Sequence, residues 1–327
     1  MSQQIEENFL ESLRHLKVPV MVAPMFLVSG PELLLATCRA GAIGSLPLPN
    51  ARNITILEGW LEEIKLGIDR LAQEQKRSIP WLLNMIVHRT YDRFDAELEL
   101  VCQYQPPLVT TALGSPKRVV KEVHQYGGVV FADVTNLTLA KKAVDAGVDG
   151  LILVSHGAGG HTGHHNPFAF IAEVRKFWSG PIALSGALMN GRDILAAQVL
   201  GADLAVMGTR FIGANESLVA NQYRQMLIDA NLDDIILSDQ ISGVPANWLR
   251  ESLEKSGIIL QRDQPSKINF SGNISDDKRA WRDIWSAGEG VGQIEKLESV
   301  ADIIADLSVE YQQARGEIIN SKNYIKF

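Results

Sequence analysis

The richest concentration of chemically active side chains is a glycine-rich segment, residues 155–165, which holds four of the seven histidines of the chain. It reads Ser-His-Gly-Ala-Gly-Gly-His-Thr-Gly-His-His. Glycine lets the backbone approach a ligand and imidazole titrates near neutral pH, so the segment suits a cofactor loop with one histidine as proton carrier or anion partner. Two other interpretations stay open: a glycine-rich turn with surface histidines, and a zinc site without a carboxylate or thiolate partner.

Two shorter glycine motifs follow later apolar runs. Residues 185–191 read Ser-Gly-Ala-Leu-Met-Asn-Gly, and residues 207–211 read Met-Gly-Thr-Arg-Phe. Gly186 and Gly208 can offer backbone N–H groups with no side chain in the way, and Thr209 adds a hydroxyl. At consecutive strand ends the two motifs together indicate a phosphate-bearing ligand, although each alone also fits close packing of a strand against a helix.

Asn84 is a polar residue inside an otherwise apolar run, Trp-Leu-Leu-Asn-Met-Ile-Val. One interpretation is a buried amide whose hydrogen bonds are satisfied within the core. The other is an amide near the end of a strand that binds an amide-rich ring such as isoalloxazine.

The elements that must position these motifs are eight short apolar runs, separated by segments of helical periodicity. Nearly all-apolar runs are typical of parallel strands covered on both faces. Eight such units in order predict an α/β fold, a (β/α)8 TIM barrel, rather than an open doubly wound sheet. No Gly-x-Gly-x-x-Gly follows the first run, where the chain reads Ala23-Pro24-Met25. The runs are 18–22, 41–46, 81–87, 108–112, 129–132, 150–154, 182–184 and 204–207.

The length of 327 residues exceeds a barrel of about 250 residues. Strand and helix alternation stops after residue 213, so we assign residues 1–213 plus 289–327 to the barrel. Residues 214–288 are predicted to form a mainly helical insertion after strand eight, a cap on the side where barrel active sites lie. A last amphipathic helix over 299–315 would close the barrel.

Composition and net charge limit the kinds of partner that the protein is expected to bind. The chain is 46% hydrophobic and 21% charged, with a net charge of −7. The mild acidity argues against a nucleic-acid or anionic-membrane partner. Residues 1–15 have no apolar signal core and no apolar run approaches about 20 residues, so a cytoplasmic protein is predicted. A homodimer is compatible with the sequence.

Several of these motifs, taken in order, resemble the nitronate monooxygenase family, flavin-dependent barrels related to the FMN-dependent enoyl-ACP reductases. The resemblance covers nearly the whole chain. It rests on Ala23-Pro24-Met25, Ala158-Gly159-Gly160-His161-Thr162-Gly163, Gly201-Ala202-Asp203 leading into Met207-Gly208-Thr209-Arg210-Phe211, Glu216-Ser217, Gly243-Val244-Pro245-Ala246 and residues 285–292.

The resemblance implies a non-covalent FMN, no metal, and oxidation of alkyl nitronates or nitroalkanes by O2 to a carbonyl compound and nitrite. It makes His161 the catalytic residue. It also implies that Ala23 and Met25 supply backbone near the flavin and that Asn84 bonds the ring. The remaining cofactor-binding residues that it implies are Gly159, Gly186, Met207, Gly208 and Thr209.

The sequence departs from the family at two places. Where the family usually has Gln-Gly-x-Glu before Ala-Gly-Gly-His, this chain has Val154, Ser155, His156 and Gly157. The usual Gly-Gly pair after strand seven is Gly186-Ala187. Two alternative functions therefore stay open: an FMN-dependent NAD(P)H reductase of quinones or enoyl thioesters, and a non-flavin phosphate-binding barrel.

Overall fold

The computed structural model describes residues 9–258, 260 and 282–320. Its main sheet has eight parallel strands: β1 (Val20–Val22), β2 (Gly44–Pro47), β3 (Trp81–Ile86), β4 (Leu108–Ala112), β5 (Val129–Val134), β6 (Gly150–Val154), β8 (Ile182–Ser185) and β9 (Leu204–Met207). The short strand β7 (Gly160–His161) belongs to a second sheet. The spatial order of the main sheet is β1-β9-β8-β6-β5-β4-β3-β2.

The two edges of this sheet meet through a parallel bridge between Met21 and Ile43, which closes the sheet into a barrel. Each of the eight predicted apolar runs overlaps one of the strands, and five of the runs contain their strand entirely. The predicted TIM barrel is therefore confirmed, and the open doubly wound sheet is excluded. Closure requires every strand to be covered on both faces, which explains why the runs are apolar throughout.

Helices surround the barrel, and local sequence sets several of their ends. Pro31 occupies the first turn of α1, where its missing N–H costs no hydrogen bond. Gly41 and Gly201 end α1 and α7 with φ of 94° and 106°, a conformation that glycine adopts without strain. The outer helices are α1 (Pro31–Ala40), α2 (Ile54–Gln75), α3 (Phe94–Tyr104), α4 (Lys117–Tyr126), α5 (Leu137–Asp145), α6 (Pro167–Arg175) and α7 (Gly191–Leu200).

Alternation along the strands separates two sets of side chains. On β5, Val129 and Phe131 belong to the cluster that fills the barrel interior, whereas Val130 and Ala132 pack against the helices. Phe9 enters the same interior cluster and meets the Phe131 ring edge-on, with 5.6 Å between the ring centroids. The period of two therefore decides which residues reach the barrel axis.

The chain beyond β9 begins with α8 (Thr209–Ile212) and α9 (Asn221–Asp229). A hairpin of β10 (Ile235–Ser238) and β11 (Ala246–Leu249) follows, and then α10 (Arg250–Lys255). The hairpin forms a small second sheet with β7 (Gly160–His161). Residues 259 and 261–281 of the predicted insertion lie outside the described residues, and the domain boundaries stay a prediction.

The last helix, α11 (Val300–Asn320), packs between α1 and α7 and completes the helical ring. Its first N–H, on Val300, donates to both oxygens of Glu216 at 3.2 and 3.0 Å. Arg210 forms an ion pair with Glu298 at 2.7 Å just before the helix. Among the described helices, none is long and apolar enough to cross a membrane.

The first prediction concerns the packing of Phe131 over Gly150, which lies on the neighbouring strand β6. A Cβ at Gly150 would lie 2.3 Å from the Phe131 ring. We expect Gly150→Ala to destabilise the protein by about 1–3 kcal/mol in urea unfolding, because the interior cannot accept the extra methyl group. The smaller side chain of Phe131→Leu should remove most of that cost.

The control for this prediction is Gly59→Ala on α2. A Cβ at Gly59 would meet no atom within 4 Å. This substitution should stabilise the protein by roughly 0.5–1 kcal/mol, because alanine favours the helix. Equal costs of Gly150→Ala with and without Phe131→Leu would contradict the packing argument.

Candidate functional site

Three polar side chains stand on the inward face near the carboxyl ends of β3, β4 and β5, where the rest of that face is apolar. They are Asn84, Thr110 and Asp133, each in phase with the interior residue two positions before it. Asn84 donates from Nδ2 to Thr110 Oγ1 at 3.0 Å. This bond orients the amide, so its Oδ1 is left to accept a hydrogen bond from a ligand above the barrel.

The turn after β1 is held in place by one buried side chain, Asn50. Its Oδ1 accepts from Leu27 N at 2.9 Å, and its Nδ2 donates to Met25 O at 3.0 Å and Ser29 O at 2.7 Å. Leu27 has φ +59°, a conformation that costs a non-glycine residue free energy and persists only with such support. Asn50 therefore fixes the backbone at Met25. The backbone at Ala23 is held instead by its own N–H, which donates to Met207 O at 2.9 Å.

Three glycine-containing turns converge at the other side of the barrel mouth. A Cβ at Gly159 would lie 2.7 Å from Gly288 N and 3.0 Å from Thr209 Oγ1. Thr209 Oγ1 accepts from Gly288 N at 2.8 Å, which leaves its hydroxyl hydrogen to donate elsewhere. A Cβ at Gly208 would lie 3.3 Å from Ala23 Cβ.

The turn after β8 completes this glycine cradle, which we define as Gly159, Gly186, Gly208, Thr209 and Gly288. Gly186 has φ +137°, and a Cβ there would lie 2.3 Å from Ser155 Oγ. Ala187 has φ +54°, the region that glycine favours, at the position where the resembled family has its second glycine.

The loop after β6 carries His161, and the insertion holds this loop from outside. His161 pairs with Ala246 and Gly160 with Asn247, as neighbouring positions of β7 and β11. The Asn247 side chain, only 3% exposed, donates from Nδ2 to Ala158 O at 2.8 Å. Thr162 N also donates to Pro245 O at 3.0 Å. The hairpin therefore fixes the His161 backbone on both sides.

Burial lowers the pKa of His161 to about 4, because an imidazolium loses its hydration there. At neutral pH the ring is therefore neutral, able to accept a proton at one nitrogen and donate from the other. The alternative of a resting imidazolium that attracts an anion is disfavoured.

The structure also accounts for the departure before the Ala-Gly-Gly-His motif. Gly157, with φ +85°, stands where the family usually has Glu, and a Cβ there would lie 2.8 Å from Glu289 Oε2. Glu289 pairs with His156 at 3.3 Å. A carboxylate from the C-terminal part of the chain thus lies against this turn, which local sequence reasoning could not reveal.

The zinc interpretation of the histidine loop has no geometric support. Within residues 9–258, 260 and 282–320, no group of three His, Cys, Asp or Glu side chains is arranged to hold a metal ion. His156 pairs with Glu289, and the His165 ring lies against Phe170 with 5.2 Å between centroids.

The sequence-predicted residues fall into two groups at the barrel mouth. Gly159, Gly186, Gly208 and Thr209 form the cradle, with Ala23 and Met25 beside Gly208. The Met207 side chain packs in the outer core, and its carbonyl oxygen accepts from Ala23 N. The residues that reach the mouth from this turn are therefore those that follow Met207. Asn84 lies on β3 and His161 on β7.

Sequence reasoning missed Asn50, Thr110, Asn247 and Gly288 as parts of the site. Thr110 could have been found, since it is polar in the inward phase of an apolar strand, as Asn84 is. Asn247 acts across the fold, and no local pattern marks it. Gly288 lies in the resembled segment 285–292, but nothing in that segment predicts its contact with Gly159 and Thr209.

This arrangement fits a flavin mononucleotide. Turns whose backbone is glycine can bring several N–H groups close to a phosphate, and Thr209 can add its hydroxyl. The cradle leaves no room for side chains, as the Cβ contacts of Gly159 and Gly186 show. Across the mouth, the Asn84 amide matches the donors and acceptors of a flavin ring.

Comparison with known proteins agrees with this architecture. The sequence model of the nitronate monooxygenase family matches residues 7–310. A protein from Paraburkholderia phytofirmans named nitronate monooxygenase is 26% identical over 302 residues, which cover 81% of this chain and 82% of that one.

Two solved structures are similar in fold. FabK from Thermotoga maritima superimposes with a TM-score of 0.74 at 23% identity, covering 94% of this chain and 97% of that one. Nitroalkane oxidase from Streptomyces ansochromogenes gives a TM-score of 0.71 at 21% identity, covering 94% and 99%. At these identities the likeness establishes the fold alone.

The second prediction concerns the protonation of His161, which NMR titration can follow. We expect the ring to stay neutral down to about pH 5, since burial lowers its pKa to about 4. The unfolded chain binds this proton near pH 6.5. The free energy of unfolding should therefore fall as pH drops from about 6.5 toward 4, because protonation favours the unfolded state.

Asn247→Ala should loosen the loop and raise the pKa of His161 toward its ordinary value. Asn221→Ala, at an exposed position at the start of α9, is the matched control and should leave that pKa unchanged. A His161 pKa near 6.5 in the wild-type protein would contradict the burial argument.

Proposed function

The chain belongs to the nitronate monooxygenase family, and from that premise we propose that it binds FMN at the barrel mouth and oxidises alkyl nitronates with O2. The products would be a carbonyl compound and nitrite. Membership makes the chain an oxidoreductase of a flavin-dependent family. The choice of FMN and of a nitronate substrate is the part that we propose.

The observation that carries the proposal is that the glycine cradle and the neutral imidazole of His161 both lie at the barrel mouth. Gly159, Gly186, Gly208 and Thr209 would hold the FMN phosphate through backbone N–H groups and one hydroxyl. Asn84 would hydrogen-bond the ring from β3, and the backbone at Ala23 and Met25 would lie beside it. The Asn50 side chain keeps the backbone at Met25 in position.

Bound flavin would supply the redox chemistry, accepting electrons from the organic substrate and passing them to O2. When the substrate is a neutral nitroalkane, the residues of the chain contribute proton transfer to the reaction. Neutral His161 accepts the α-proton at a ring nitrogen, and the imidazolium that forms then lies beside the anion it has generated. A nitronate is already an anion and needs no such transfer.

Hairpin β10–β11 restricts access to His161. Its pairing with residues 160–161 covers this loop from outside. The desolvation that lowers the pKa of His161 also strengthens the attraction between an imidazolium and a nitronate at this place.

The third prediction tests the activity itself. Purified protein should show a flavin spectrum and release nitrite rapidly from propionate 3-nitronate in air, with no NAD(P)H required. Bleaching of the flavin by NADH or NADPH in stopped flow, without nitrite release from the nitronate, would favour the reductase instead. A colourless protein that takes up no FMN on reconstitution would contradict both flavin activities.

The fourth prediction separates proton transfer from binding. His161→Gln should lower kcat for a neutral nitroalkane by about 10²–10⁴-fold, because the general base is lost. The loss should be much smaller for the corresponding preformed nitronate, and the variant should retain flavin.

The control for this variant is His164→Gln, at an exposed position of the same loop. It should leave both rates close to wild type. Equal losses for nitroalkane and nitronate in His161→Gln would refute the role as base and leave only a binding role.

A further inference from the structure

Asp133 is the one ionisable side chain in the eight barrel strands, all of which lie within the described residues. It is on β5, in phase with Val129 and Phe131, which fill the barrel interior. The period of two therefore turns its carboxyl inward, one layer above Phe131 and toward the mouth. Burying a carboxyl group at this place costs folding free energy, and a residue that carries such a cost is typical of a functional site.

The groups around the Asp133 carboxyl in the described part of the chain do not compensate for its burial. Its Oδ1 is enclosed and accepts no hydrogen bond from the described residues. Burial alone raises the pKa of Asp133 to about 7, and no charged group offsets the shift. The flanking strands β4 and β6 present no titratable side chain to it.

The titratable groups nearest in the fold are on the loops around the mouth rather than on the strands. Glu289 already pairs with His156, and burial lowers the pKa of His161 to about 4. Across pH 6–9 His161 is therefore neutral. The loop groups are His88 and Arg89 after β3, His156, His161, His164 and His165 after β6, and Glu289.

Asp133 lies between the two places that would hold a flavin. The glycine cradle is on the turns after β6, β8 and β9, and Asn84 is on β3. In the order of strands around the barrel, β5 stands between β3 and β6. A ring anchored at both places therefore crosses the mouth past Asp133.

We propose that Asp133 contacts the bound flavin ring and sets its reduction potential through its own protonation state. As the neutral acid it donates a hydrogen bond to a ring heteroatom and stabilises the negative charge that reduction brings. As the carboxylate it repels that charge. The inference rests on the flavin site proposed above, and it makes Asp133 a catalytic residue that no motif in the sequence marks.

This arrangement couples reduction to proton binding at Asp133. Two electrons that enter the ring raise the affinity of the carboxylate for a proton, which comes from solvent and binds at a carboxylate oxygen. The proton leaves again when O2 removes the electrons. Reduction of the flavin should consequently become harder as pH rises through the titration of Asp133.

The experiment measures the reduction potential of the flavin-loaded protein between pH 6 and 9, by equilibrium titration against reference dyes under argon. Wild-type protein should show a steeper fall of the potential with pH than Asp133→Asn, which keeps the shape but cannot ionise. Asp69→Asn, an exposed carboxylate on α2, is the matched control and should follow wild type. A structural role alone would not change this slope.

Flavin reduction by substrate gives a second readout. The ratio of its rate at pH 6 to its rate at pH 9 should exceed that of Asp133→Asn by about tenfold or more, which one pKa unit of coupling produces. Asp133→Ser removes the carboxyl with a smaller side chain and should give the same flat profile, so the test survives if Asp133→Asn does not fold.

Identical slopes in wild type, Asp133→Asn and Asp133→Ser would overturn the inference, even if nitrite release from nitronates were observed. The steeper fall of the reduction potential with pH could be lost in both variants while the wild-type protein releases no nitrite. That result would support the role of Asp133 and refute the proposed substrate. A protein that binds no flavin would overturn the inference together with the flavin activity.

Discussion

Two backbone pairs, His161 with Ala246 and Gly160 with Asn247, join the insertion to the loop after β6. The other features of the mouth depend on this contact, because it fixes the loop that carries His161. Burial of the imidazole lowers the pKa of His161 to about 4, whereas an imidazole in water would be partly charged at neutral pH. By pairing with residues 160–161, hairpin β10–β11 adds to the enclosure of the His161 loop.

The barrel imposes a second constraint. Parallel strands with a period of two direct alternate side chains to one axis, so polar residues near their carboxyl ends gather at one mouth. Asn84, Thr110 and Asp133 are far apart in the chain but share this position. The apolar layer below them, with Phe131 and Phe9 in contact, closes the barrel interior and separates the mouth from the other end.

Several residues of the resembled motifs have structural rather than chemical contacts. Arg210 pairs with Glu298, and Glu216 caps the first turn of α11. These contacts attach the closing helix to the end of β9. The Met-Gly-Thr-Arg-Phe block thus combines two tasks in neighbouring residues, since Gly208 and Thr209 face the mouth while Arg210 fixes the end of the barrel.

Eight apolar runs with glycine-capped helices between them are enough to predict the barrel, because such patterns report local burial and local backbone conformation. The concentration of glycine and histidine at strand ends also predicts where a site would lie. The contacts between distant segments become visible only in the folded chain: Asn50 on the β1 turn, Asn247 on Ala158, Glu289 against Gly157. The protonation states of His161 and Asp133 were likewise invisible in the sequence, because a pKa depends on burial by the whole fold.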